Sequence, residues 1–137
     1  MKLVNTDNWV FKDVDLSNGR TMKKLVAIEA DGLGPSNTEP ENLEVLASSP
    51  VIYKDSLYNH AMTYYSADSG AGVFATGTIG WINALDIAEW GDEKVSTFVR
   101  GVTTNVLQAF ASGPAGIAHP SVGNASRYRA SVQPIDD

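Results

Sequence analysis

Ser69-Gly70-Ala71-Gly72-Val73-Phe74-Ala75-Thr76-Gly77-Thr78-Ile79-Gly80-Trp81 reads as a small apolar strand that runs without a break into a Gly-Thr turn and then a helix. A strand of this composition is built to be buried. Four glycines in thirteen residues allow close backbone approach and positive φ, while Val73, Phe74 and Ile79 supply packing around the turn. Just upstream, Ala61 to Ser66 is rich in β-branched and aromatic side chains, and Ala67-Asp68-Ser69-Gly70 turns it back, which predicts an antiparallel hairpin with a four-residue loop. Thr78 suits an N-cap whose hydroxyl accepts from an amide near Gly80 or Trp81, with a short helix running towards Asp86. A turn that opens a helix after a buried strand is also where α/β proteins hold anions and substrates, so Gly77 and Thr78 are candidate anion- or substrate-binding residues. The plainer reading is a tight turn with a hydroxyl cap and Trp81 packed beneath it. The segment lacks the dinucleotide fingerprint and the phosphate-loop lysine.

Downstream, Val95, Phe98, Val99, Val102, Val106, Leu107 and Phe110 form a stripe at spacings of three and four, the clearest helix in the chain. Asp92 and Glu93 favour the positive end of its dipole, and Ser112-Gly113-Pro114 ends it. The remainder to Asp137 has no period, so the expected organisation is one domain over 1–113 and an extended tail or linker over 114–137.

Upstream, Leu43-Glu44-Val45-Leu46-Ala47 is a strand stopped by Ser48-Ser49-Pro50, with Val51-Ile52-Tyr53 adding a short extended piece and Pro50 keeping this part off a central ladder position. Leu33 to Asn42 holds two prolines and reads as a surface loop. Leu25-Val26-Ala27-Ile28 predicts a buried strand that ends in Glu29-Ala30-Asp31-Gly32. Asn8-Trp9-Val10-Phe11 predicts an edge strand or an anchoring segment, with Trp9 and Phe11 docked on the core.

At 137 residues, 43% hydrophobic and 19% charged, the composition is that of a soluble globular domain. A formal net charge of -6 argues against nucleic acid or an anionic membrane as the main partner, and Lys23-Lys24 is the only adjacent basic pair. Without cysteine there is no disulfide framework, thiolate metal site or thiol nucleophile. No apolar run approaches signal-peptide or transmembrane length, which makes the cytoplasm the default location and an extracellular one the alternative for a piece of a larger secreted protein. Asn124-Ala125-Ser126 matches the glycosylation acceptor pattern, which matters only for a secreted chain.

Glu29 and Asp31 are the best catalytic candidates, since alternation along a strand end puts both carboxylates on one face, where they could share a proton or hold a base or metal. The plainer reading has them facing solvent. His60 and His119 are the only histidines and are 59 positions apart, which disfavours a His-based zinc site; His60, at a strand start, reads as a surface histidine. No Gly-x-Ser-x-Gly elbow is present, and Tyr64 and Tyr65 point to opposite faces.

Trp9-Val10-Phe11, Leu25 to Asp31, Leu43 to Pro50, Thr63-Tyr64-Tyr65, Gly70 to Trp81 and Thr103 to Leu107, in that order, resemble the C-terminal part of the large subunit of N,N-dimethylformamidase and its relatives. The resemblance implies the closing part of an amidotransferase-like (flavodoxin-like) α/β domain: a mixed sheet of about four to five strands and a long C-terminal helix, the opening strands belonging to an upstream part. It implies a segment or subunit of a formamidase-like amide hydrolase, not catalytic alone, and raises Glu29 over Asp31. In the amidase it implies an iron held by two tyrosines and a glutamate; those ligands are not placed on this sequence, which is expected to hold no cofactor itself. A sheet short of its neighbours leaves an open edge, so a partner chain or further copies of this one are expected to complete it. The alternative function is a structural, self-assembling module, such as a surface layer or filament, that keeps the fold without the chemistry.

Overall fold

A computed structural model describes residues 1–34 and 39–113. The tail over 114–137, with His119 and Asn124, lies outside the described residues, as do 35–38. Four strands, β1 (Lys2–Leu3), β2 (Glu44–Tyr53), β3 (Ser56–Ser66) and β4 (Gly72–Ala75), form one sheet in the order β1-β2-β3-β4. Three helices follow: α1 (Gly80–Asn83), α2 (Ile87–Trp90) and α3 (Glu93–Ala111). The four strands and long C-terminal helix match the expected α/β class, but every strand pair is antiparallel, whereas a mixed sheet was the expectation. The β2–β3 and β3–β4 connections are too short for the crossover that parallel neighbours require.

The hairpin read from the sequence is β3–β4, with Ser66 opposite Gly72 and Thr63 opposite Ala75, but Ala67 to Ala71 join the strands in place of the four-residue loop expected, because Ala67 N donates to the Ala71 carbonyl at 2.8 Å. β4 is shorter than expected and half-buried, because it is the outer strand of the sheet. The larger hairpin is β2–β3. Tyr53 pairs with Ser56, and the two residues between them, Lys54 and Asp55, both lie in the left-handed region at φ 48° and 60°, as a tight hairpin of primed type requires. β2 therefore runs unbroken through Pro50. Ala61 donates its N–H away from β2, to the Asp31 carbonyl at 2.9 Å, so the Ser48–Ala61 pair and, two residues on, the Pro50–Asn59 pair are positions where β2 and β3 exchange no ladder bonds. Pro50 thus lacks an N–H only on the outer side of β2, beyond the reach of β1.

A bulge between Val45 and Ala47 brings Leu46 and Ala47 together into the main core with Met62 and Tyr64 of β3. That sheet face is covered by α3 through Val95, Phe98, Val99, Val102 and Val106. The stripe is buried only as far as Val106. Leu107 stands about 100° further round the helix and is exposed, and Phe110 is half-exposed. Asp92 caps α3, its carboxylate accepting from Val95 N at 3.1 Å, and Ser112 closes the C-terminus.

Trp9–Phe11 is a single 3-10 turn and not an edge strand, capped by Asn8, with Phe11 buried. It anchors as expected: Phe11 stacks on Phe98 at 6.1 Å, Trp9 meets Tyr64 edge-on at 5.4 Å, and Asn105 of α3 donates to the carbonyls of Val10 and Lys12. Glu44, buried at the start of β2, accepts from the side-chain amides of Asn5 and Asn8.

The expected strand over Leu25–Ile28 is not formed; the segment is irregular. Left-handed φ values at Lys24 (62°) and Ile28 (72°) interrupt any extended run, and only Leu25 is fully buried. Of the segment's backbone groups, the amide and carbonyl of Ala27 pair instead with Thr78 and Gly80.

Candidate functional site

The sheet face that buries Met62 and Tyr64 also carries His60 and Tyr58, since side chains two apart share a face. Beyond the part covered by α3 this face opens into a groove of about 860 Å³. One wall is the irregular run Val26 to Leu33 and the other is the distal β2–β3 ribbon, Ser49 to Tyr53 and Tyr58 to His60. Both predicted carboxylates, Glu29 and Asp31, are exposed and line this groove.

Gly77 and Thr78 fix the wall from behind. The Thr78 hydroxyl donates to the Ala27 carbonyl at 2.9 Å and accepts from Ala27 N at 3.0 Å and Gly80 N at 3.3 Å. One donor and two lone pairs are thereby engaged, and the expected cap on Gly80 is among them. Beyond Ala75, β4 no longer pairs with β3, and Asp31 takes its place: Asp31 N donates to Gly77 O at 2.8 Å while its own carbonyl accepts from Ala61. Gly77 has φ 66°, and a Cβ there would stand 2.6 Å from the Ala61 carbonyl oxygen and 2.9 Å from His60 Nε2. Only glycine fits that crossing.

Clamped at Ala27 and Asp31, the chain between them is forced outward. Glu29 N donates to the Ala27 carbonyl at 2.9 Å around Ile28, whose φ of 72° marks the rarer, strained form of the three-residue γ-turn. Ile28 is 75% exposed at the groove wall.

His60, read from the sequence as a surface histidine, is 1% exposed and lines the groove. Its Nε2 lies 2.9 Å from the Thr76 carbonyl, which only accepts, so Nε2 carries the proton and Nδ1 keeps its lone pair. Nδ1 is buried without a hydrogen-bond partner. Burial pushes the imidazole below its ordinary value of 6.5, opposed by the bond to Thr76 and the Asp31 carboxylate, so the ring is neutral at pH 7. The alternation His60, Met62, Tyr64 carried the signal for this burial, provided the strand was extended upstream of Ala61.

The site therefore joins Glu29, Asp31 and a neutral His60 along one groove, while Gly77 and Thr78 build its wall. Among the described residues no three His, Asp or Glu side chains are grouped to hold a metal ion. The iron implied by the resemblance is not placed on them.

Residues 1–96 match the family described as N,N-dimethylformamidase beta subunit-like, C-terminal. The chain belongs to this family. The match takes in all four strands, the groove and the turn behind it, and ends in the first turn of α3. No curated protein and no solved structure matches the chain.

Proposed function

We propose that this family member is the C-terminal segment or subunit of a formamidase-like amide hydrolase, in the large-subunit position, and that it supplies one wall of the site without being catalytic alone. The observation that carries this is the groove itself: two exposed carboxylates on one wall and a neutral histidine on the other line an open groove of a chain in a dimethylformamidase-related family. Amide hydrolysis needs a base to activate water and an acid to protonate the leaving amine, both closed off from solvent. Glu29 is the base or acid offered from this side, Asp31 its neighbour, and the opposing groups, with any iron, come from the upstream part. In this reading the antiparallel sheet is the closing portion of a larger amidotransferase-like domain. Co-expression with the upstream part is expected to yield a complex that hydrolyses N,N-dimethylformamide, the isolated chain being inactive; an active isolated chain, or an inactive complex loaded with iron, contradicts it.

The second reading, a self-assembling structural module, is favoured by the distal ribbon. Past the end of β1 the β2–β3 ribbon has an open edge and exposes Ile52 (78%), Tyr53 (60%), Leu57 and Tyr58 (56%). Concentration-dependent association in light scattering, abolished by Ile52→Lys with amide hydrolysis absent throughout, would establish it. Association lost on adding the upstream part assigns the ribbon to the amidase complex instead.

A further inference from the structure

We infer that the groove beside His60 binds an organic cation that carries its charge on N–H groups at the end of an apolar arm, the chemistry of an alkylguanidinium or a primary alkylammonium. The charge placed for a ligand is that of two carboxylates, beside the hydroxyls of Ser49, Tyr53 and Tyr58 and the amide of Asn59. Glu29 and Asp31 bring carboxylates, and no lysine or arginine lines the groove among the described residues. His60 gives its one proton to the Thr76 carbonyl, leaving Nδ1 as a lone pair in a side chain that is 1% exposed. That lone pair has no partner. A buried acceptor without a donor is a feature that native proteins rarely keep unless something else supplies the donor.

The apolar half of the groove matches the other end of such a ligand. Val26, Ile28 and Tyr58 form its walls beside Tyr53, whose ring already carries the Lys54 ammonium at 5.1 Å, and the Tyr58 face attracts a guanidinium or ammonium as well as packing an alkyl arm. An anion is repelled by both carboxylates. A quaternary ammonium has the charge but cannot donate to Nδ1. At about 860 Å³ the groove takes a ligand with an extended arm rather than a bare ion. The inference rests on reading this groove as the site, but not on hydrolysis.

The experiment is a titration of the isotope-labelled full chain, followed by NMR, with butylguanidinium, butylammonium, butyltrimethylammonium and butyrate. Butylguanidinium and butylammonium are expected to bind with a Kd of about 1 mM or tighter, shifting the His60 Nδ1 resonance and the amides of Glu29 and Asp31. The quaternary cation should bind about tenfold more weakly, and butyrate not at all. Both carboxylates are exposed, so Glu29→Gln with Asp31→Asn should leave thermal unfolding unchanged while weakening butylguanidinium about tenfold. A capped Leu-Arg-Leu peptide separates the sources: tighter binding than butylguanidinium means that a polypeptide presents the cation, weaker binding that it is a free small molecule. Equal affinity for the quaternary cation, binding of butyrate, an unaffected double variant, or no binding at about 20 mM overturns the inference. A chain that binds butylguanidinium yet never hydrolyses an amide in its complex loses the amidase reading and keeps this one.

Discussion

Asp31 and Gly77, 46 positions apart in sequence, are joined backbone to backbone, the Asp31 N–H donating to the Gly77 carbonyl at 2.8 Å. One is a predicted carboxylate and the other a predicted turn residue, and the bond between them sets the wall of the groove. Gly77→Ala tests it. The new methyl would meet the Ala61 carbonyl at 2.6 Å on a backbone with φ 66°, and neither backbone can yield without breaking the Asp31–Ala61 bond. A loss of about 2–4 kcal/mol in chemical denaturation is expected; a loss below about 0.5 kcal/mol would show that the crossing is loose.

Thr78 holds the same wall with three hydrogen bonds from one hydroxyl. Thr78→Val keeps the shape, removes the hydroxyl and leaves the Ala27 N–H and carbonyl without it, for an expected cost of about 2–3 kcal/mol. Thr78→Ser should restore most of this. Equal stability of the valine and serine variants would contradict the bracing role.

Ile28 is a β-branched residue at φ 72° with most of its surface in water. Replacing it by glycine removes about 1–3 kcal/mol of backbone strain, gives up little burial, and costs about 0.5–1 kcal/mol in chain entropy. Ile28→Gly should therefore raise stability by about 1 kcal/mol, seen as a higher denaturation midpoint. A lower midpoint would mean that Ile28 is packed.

His60 predicts a pH dependence. Its folded value lies below the ordinary 6.5 because the ring is buried, so the unfolded chain takes up a proton first as the pH falls. The contribution of His60 is then full above pH 6.5 and is lost between 6.5 and the lower folded value, at no more than about 1.4 kcal/mol per pH unit for one proton. Equilibrium unfolding of the wild type between pH 8 and 5 should show this slope, and His60→Gln should flatten it. His119 is common to both proteins and cancels in the difference. Identical slopes would contradict a buried neutral His60.

The parts legible in the sequence are those written locally. The β3–β4 hairpin follows from a β-branched run, a turn and a second run; α3 follows from its three-four stripe and from Asp92 at its start. The run Leu25–Ile28 has no local mark to separate a paired strand from an irregular segment, and the positive φ of Ile28 lies between clamps on Ala27 and Asp31 from Thr78 and Gly77, about fifty residues away. The Lys54–Asp55 turn was illegible for a related reason: no glycine or asparagine marks it, and the register of two long strands imposes it. At the site, alternation in the sequence puts Glu29 and Asp31 on one face of a strand that is not formed; both are exposed along the groove, and the burial of His60 beside it was not legible. His60 looks exposed if the strand starts beside it and buried if the strand begins at Ser56.

The central claim is that this groove is the working wall of an amide hydrolase site. Its most direct test is the kcat for N,N-dimethylformamide hydrolysis of the complex with the upstream part, compared between wild type and Glu29→Gln. Glu29 is exposed, so the variant should fold and assemble with an unchanged unfolding midpoint, while kcat falls by about 10²-fold or more, as loss of a general acid or base demands. An unchanged kcat in an intact complex would contradict the claim.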